Sequence, residues 1–279
     1  MQYYIFSGEL RDINQGIGIS NRAFRYADGL FESMYFTNGK IMFLDLHYSR
    51  LLKGMKLLRI EKNDLPSISE IVLKTTQLLK ANNIEGAARI RLQVFRKEGG
   101  LYLPENNNCD YIIEVSKLEN TDYTLNTKGL HIGISKSIHA RNDAFSQIKT
   151  ISKHQMILVS MDAKDNKWDD AIILNNSNNI SETSSSNIFA VINGNIYTPS
   201  LSDGLMNGIM RQNIIRIANA NNISVIETSL TESNLLSADE LFITNAVKGL
   251  QWVVAFKNKR YFNTLAKKIT KLLNSEIHA

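Results

Sequence analysis

The chain is expected to fold as an α/β (α+β) protein of two α/β domains, each built on a mainly antiparallel or mixed sheet. Three observations lead there. Strand and helix signals alternate along the whole length. Asn38-Gly39 and Asn193-Gly194 each separate two apolar runs and read as hairpin turns, which argues against a purely parallel, doubly wound sheet. Residues 117–128 are polar and turn-rich. They set a small first domain over 1–118, a linker over 119–128 and a larger second domain over 129–279.

In the first domain, residues 2–6, 30–37 and 40–44 read as strands. Asp45 is placed as the cap of a helix reaching about Arg59, with Leu51, Leu52, Met55 and Leu58 at mostly helical spacing. After Pro66, Ser67 and Glu70 form a capping box for a helix to about Asn82. Residues 87–96 alternate with a period of two: Ala88, Ile90, Leu92 and Val94 on one face, Arg89, Arg91, Gln93 and Phe95 on the other. Residues 110–115 read as the neighbouring strand.

The second domain opens with a strand at 130–135. A helix follows over about 152–164, then an apolar strand at 171–174 and a hairpin made by 187–192 and 195–197. A helix over 208–221, strands at 223–228 and 240–244, and a basic amphipathic helix from about 263 complete it.

Composition narrows the function. With 279 residues, 43% of them hydrophobic and 21% charged, the chain has material for a large core. Its net charge of +5 is spread among acids and amides, without a basic cluster interleaved with aromatics, so no nucleic-acid partner is expected. A mild basic excess suits anionic small molecules. The single cysteine, Cys109, lies in an Asn-rich stretch read as a loop; it rules out an intrachain disulfide, and no zinc ligand set is present. The start, Met1 to Phe6, has neither the basic residues nor the long apolar run of a signal peptide, and no 18-residue apolar stretch occurs. A cytoplasmic protein without a membrane span is the expectation. Neither a Gly-x-Gly-x-x-Gly nor a Walker-type loop appears.

Five segments contain residues suited to chemistry. Lys149, in Gln147-Ile148-Lys149-Thr150-Ile151-Ser152-Lys153, follows an apolar residue before a helix. It reads as a surface lysine or as a desolvated amine able to attack a carbonyl. Glu182, in Ile180-Ser181-Glu182-Thr183, reads as a solvated turn residue or as a carboxylate paired with a ring nitrogen. Asn207-Gly208-Ile209-Met210-Arg211-Gln212 enters a helix from a glycine, and free N–H groups at a helix start suit a phosphate. Phe242-Ile243-Thr244-Asn245-Ala246 ends a strand in a Thr-Asn pair, a turn cap or a donor pair. Arg50, in Asp45-Leu46-His47-Tyr48-Ser49-Arg50-Leu51, serves solvent or reaches a phosphate with its planar fork.

In order and spacing these segments resemble the class IV aminotransferases of fold type IV, a family that includes branched-chain aminotransferases, D-amino-acid aminotransferases and aminodeoxychorismate lyases. The resemblance runs from Ala27-Asp28-Gly29-Leu30-Phe31-Glu32 to Thr244-Asn245-Ala246. It implies a pyridoxal 5'-phosphate enzyme with the cofactor at the domain interface. By the same resemblance Lys149, in the second domain, is the catalytic lysine that carries the cofactor and shuttles the proton. Glu182 holds the pyridine nitrogen. Arg50, Gly208, the Ile209–Met210 backbone and Thr244 form the phosphate cradle, with Asn245 close by. His154 falls where some relatives place a tyrosine near the cofactor's phenolic oxygen; that departure leaves its role open, and an ordinary helix histidine is the reading preferred.

The resemblance leaves the reaction to be chosen. Phe31-Glu32-Ser33 is similar to the Phe-Glu-Gly of branched-chain aminotransferases, whereas Met210 and the short chain are nearer to aminodeoxychorismate lyases. The reading preferred is an aminotransferase of the branched-chain type, acting on an amino acid and a 2-oxo acid. The alternatives are a lyase that makes 4-aminobenzoate and pyruvate from aminodeoxychorismate, a D-amino-acid aminotransferase, and a cofactor-free binding protein of the same fold. Arg91 or Arg96 is suited to a substrate carboxylate; alternation puts Arg89 and Arg91 on one face and Arg96 on the other, so the first two are paired, with Tyr26 as a further substrate contact. No metal is expected. A homodimer is implied by the family.

Overall fold

A computed structural model describes residues 2–278. The chain divides into two compact units: Met1–Thr121 with Ile148–Ser152, and Asp122–Gln147 with Lys153–Ala279.

Unit 1 contains β1 (Tyr3–Phe6), β2 (Glu9–Asp12), α1 (Arg22–Tyr26), β3 (Gly29–Thr37), β4 (Lys40–Ile41), α2 (Leu44–Leu57), α3 (Ile68–Ala81), β5 (Ala88–Arg96) and β6 (Cys109–Lys117). Its sheet has the order β2-β1-β6-β5-β3-β4, and every neighbouring pair is antiparallel. The period-two pattern of β5 decides which face is covered. Ile90, Leu92 and Val94 are buried with Leu51 and Met55 of α2 and Ile71 and Leu78 of α3 in one cluster. Each such side chain contributes about 1.5–3 kcal/mol. Arg89, Arg91 and Gln93 stand half-buried on the opposite face.

Several boundaries differ from the sequence reading. α2 starts at Leu44, after Phe43 in the left-handed region at φ 56°, with no side-chain cap; Asp45 sits in the first turn, where it complements the helix dipole instead of capping. The β4 strand stops at Ile41 because Phe43 already turns the chain into the helix. Cys109 is not in a loop: it is buried at the start of β6, opposite Arg96. The capping box of Ser67 and Glu70 on α3 is as read.

The segment 148–152 belongs with unit 1, whereas the expected boundaries place it in the second domain. Its backbone is tied to β3: Phe31 donates its N–H to the Lys149 carbonyl at 2.9 Å and Ile151 donates to the Gly29 carbonyl at 3.0 Å, around a bridge between Leu30 and Thr150. Gly29 permits the approach, since a Cβ there would stand 2.6 Å from the Val94 carbonyl oxygen and 2.7 Å from Ile151.

Unit 2 contains β7 (Leu130–Ala140), α4 (His154–Asp165), β8 (Asp170–Asn175), β9 (Ile180–Thr183), β10 (Asn187–Ile192), β11 (Asn195–Thr198), α5 (Ile209–Ala220), β12 (Val225–Glu227), α6 (Glu232–Ser237), β13 (Glu240–Asn245), β14 (Gly249–Phe256), β15 (Lys259–Arg260) and α7 (Thr264–Ile277). The sheet order is β12-β11-β10-β13-β14-β7-β8-β9, with β15 on β14. It is mixed: β11–β12, β14–β7 and β7–β8 are parallel and the rest antiparallel. Its core joins Ile172, Ile180, Ile188, Leu241, Ile243, Val253 and Phe256. Among the described residues, no helix is long and apolar enough to cross a membrane.

Candidate active site

In unit 1, Lys149 is half-buried, and its ammonium lies 4.8 Å from the centre of the Phe31 ring. It stands five residues before α4, on the short segment that β3 holds, and not at a helix mouth.

Strand alternation sends Glu32, next to Phe31, to the helix-covered side, where it is buried. Arg50 and His47, three residues apart on α2, meet it. Arg50 Nε donates to Glu32 Oε1 at 2.8 Å and Nη2 to Oε2 at 2.6 Å; His47 Nδ1 lies 2.6 Å from Oε2. Burial alone pushes the Glu32 carboxyl up. The charge and hydrogen bonds of Arg50, with those of His47, outweigh it and bring the group down to about 2. Burial pushes the His47 imidazole down, against the pull of Glu32 and with the repulsion of Arg50 and Lys149. Facing a carboxylate, which only accepts, His47 donates from Nδ1.

On the other face of β3, the Arg91 guanidinium covers the Phe31 ring at 4.0 Å and is 3.8 Å from Glu114. Burial and the neighbouring Arg89 push the Arg91 guanidinium down, against Glu114. Arg89 reaches Ser33 Oγ at 3.4 Å. Tyr26 closes α1 and packs its ring 5.7 Å from that of Tyr102. Arg96 is engaged by the protein itself: it donates to Asp28 at 2.9 Å, to the carbonyls of Leu58 and Arg59, and to Asn107.

In unit 2, Glu182 lies within β9, paired with Ile173 of β8, so it is a strand residue and not a turn residue. Its Oε2 accepts the Met206 N–H at 3.3 Å. Two residues on, Gly208 caps α5 without any side-chain hydrogen bond. The N–H groups of Ile209 and Met210 thus start the helix with no partner inside it. Gly208 sits so close to Asn187 that a Cβ would fall 2.0 Å from its Oδ1. Asn187 in turn is the β10 partner of Thr244 on β13. The Thr244 hydroxyl is buried and has no hydrogen-bond partner among the described residues, and the same is true of Ser181. A buried orphan hydroxyl costs about 1–3 kcal/mol, so a bound group that satisfies it fits this place. Asn245 shapes the following turn: its Nδ2 donates to Ser186 Oγ, and its Oδ1 accepts from the N–H groups of Val247 and Lys248. His154, the first residue of α4, is exposed.

The Glu32–His47 contact is not marked in the sequence, although His47 and Arg50 stand at i, i+3, because their meeting with Glu32 depends on how α2 packs on β3. Nor is the part of Asn187, which lies against Gly208 and pairs with Thr244.

A profile of the Amino-transferase class IV family matches residues 29–256, and the chain belongs to that family. It is similar to a probable branched-chain-amino-acid aminotransferase of Aquifex aeolicus, 28% identical over 98% of this chain and 90% of the relative. It is also similar to an aminodeoxychorismate lyase of Bacillus subtilis, 31% identical over 81% of this chain and 77% of the relative. An aminotransferase from Brucella abortus, solved bound to the cofactor PLP, has the same fold, with a TM-score of 0.86 at 22% identity over 99% of both chains.

Proposed function

We propose that the protein is a pyridoxal 5'-phosphate-dependent aminotransferase of the branched-chain type, moving an amino group between an amino acid and a 2-oxo acid. The observation that carries this reading is the similarity to the Aquifex aeolicus relative, which extends over nearly the whole of both chains. The residues fit the cofactor. The orphan hydroxyl of Thr244 and the uncapped start of α5 at Gly208, Ile209 and Met210 are donors for a phosphate, and the Arg50 guanidinium adds positive charge. Lys149 supplies the amine.

When bound, the cofactor supplies a pyridine ring that accepts the electron pair left by loss of a proton. The Glu182 carboxylate holds the proton on the ring nitrogen. Nζ of Lys149 would take the α-proton from the substrate as a base and then give it up as an acid at a different carbon, so that the α-carbon is left oxidised to the 2-oxo level. Arg89 and Arg91, with Tyr26, bind the substrate carboxylate. Asn245 keeps the turn that follows Thr244. We take the enzyme to be a cytoplasmic homodimer.

The second reading is a lyase that converts aminodeoxychorismate to 4-aminobenzoate and pyruvate, favoured by the 31% identity to the Bacillus subtilis enzyme. Two assays on one preparation separate them. The first offers branched-chain and D-amino acids with 2-oxoglutarate; the second offers aminodeoxychorismate and follows 4-aminobenzoate and pyruvate. Turnover of L-branched-chain amino acids supports the first reading, turnover in the second assay alone replaces it with the lyase, and turnover of D-amino acids alone replaces it with the D-specific enzyme. A protein that takes up no pyridoxal phosphate overturns all three.

A further inference from the structure

We infer that Glu32 and His47 form a positioning pair that holds the Arg50 guanidinium in place for a phosphate group. The inference rests on the assignment of Arg50 to the cofactor phosphate and goes one residue further back. Glu32 takes two parallel hydrogen bonds from Arg50, through Nε and Nη2, at 2.8 and 2.6 Å. Such a fork fixes both the plane and the direction of a guanidinium, which a single bond does not. His47 adds a third bond at 2.6 Å and so fixes the carboxylate itself.

Stability alone is a poor reason for this arrangement. Burying an ion pair costs several kcal/mol of solvation per ion, and apolar side chains of the same volume are often at least as stable. The histidine adds to the cost: its Nε2 is buried with no hydrogen-bond partner among the described residues, so one ring nitrogen is left unsatisfied while the other binds Glu32. What the three residues achieve in return is a single orientation of Arg50. The rest of the contact is built to match, since α2 carries His47 and Arg50 on one face and β3 carries Glu32 toward it.

The test compares pyridoxal phosphate with pyridoxal, which lacks the phosphate. Apoprotein prepared from the full chain is titrated with each, for the wild type and for Arg50→Ala, Glu32→Gln, His47→Ala and His47→Asn. Glu32→Gln is expected to weaken pyridoxal phosphate by about tenfold or more while leaving pyridoxal within about twofold. His47→Ala is expected to shift the same ratio in the same direction, and His47→Asn, whose side-chain amide keeps a donor, to restore most of it. If Arg50→Ala does not weaken pyridoxal phosphate selectively, the assignment of Arg50 fails. If Arg50→Ala does so and Glu32→Gln affects both ligands equally or neither, Glu32 is structural and the positioning role is overturned. Should Glu32→Gln not fold, the histidine pair decides: a selective loss in His47→Ala that His47→Asn restores supports the inference, and any other result overturns it.

Discussion

The backbone N–H of Phe31 donates to the carbonyl of Lys149 at 2.9 Å, and the Lys149 ammonium lies 4.8 Å from the centre of that same residue's ring. One residue of β3 therefore holds the lysine at both ends, and the place of the amine follows from the sheet of unit 1.

Gly29 is what lets the lysine segment lie this close to β3. Gly29→Ala is expected to destabilise the fold by about 1–3 kcal/mol, the usual cost of a forced backbone shift, and to displace residues 148–151. Thermal unfolding measures the first effect. A fall in the rate of cofactor attachment to Lys149, larger than the loss of folded protein, measures the second.

Thr244→Val replaces the orphan hydroxyl by a methyl of the same shape. Because the hydroxyl has no protein partner, the apoprotein is expected to be as stable as the wild type or more so. Pyridoxal phosphate affinity is expected to fall by about tenfold, the value of one hydrogen bond to a charged group. A stability loss without an affinity loss would show that the hydroxyl serves the fold.

 
Arg91 and Arg96 lie five residues apart on β5, yet their surroundings differ. Arg91 is half-buried, whereas Arg96 is buried and engaged by Asp28, two backbone carbonyls and Asn107. Arg91→Ala is expected to raise KM for the carboxylate substrate by about tenfold or more, with little change in the melting temperature. Arg96→Ala is expected to do the reverse and cost about 3–5 kcal/mol, because it leaves Asp28 with one fewer cation in a buried network. Steady-state kinetics and thermal unfolding of the two variants check this contrast.

Acid sensitivity follows from Glu32 and His47. Both groups have folded-state values below their ordinary ones, so each contributes stability that is complete above its unfolded value and is lost as pH falls. The imidazole's share goes first, below its ordinary 6.5; the carboxylate's share goes between its ordinary 4.5 and about 2. Urea unfolding between these limits is expected to show a steeper acid limb for the wild type than for a Glu32→Gln, His47→Gln double variant. Parallel limbs would contradict it.

Much of this was legible from residue patterns. The alternation of β5, the capping box at Ser67 and the two Asn-Gly hairpins are local signals, and the elements they mark are present in the fold. β14 is absent from the expected strands, although Trp252, Val253, Val254 and Phe256 form a run rich in strand-forming residues; placed in the middle of its sheet, it is the strand on which β13 and β7 both pair. Of the candidate site, residue types suited to the chemistry can be picked out in the sequence, but their surroundings cannot. That Lys149 packs with β3, that Arg50 is held by Glu32, and that the Thr244 hydroxyl has no protein partner are all results of tertiary packing between segments far apart in sequence.

The central claim is that Lys149 carries the cofactor. Borohydride reduction of the holoprotein, followed by peptide mapping by mass spectrometry, tests it most directly. The expected result is a protein that absorbs in the visible before reduction and carries one reduced pyridoxyl phosphate group on Lys149 after it, with no such group in Lys149→Ala. A colourless protein, or a label found on another lysine, would contradict it.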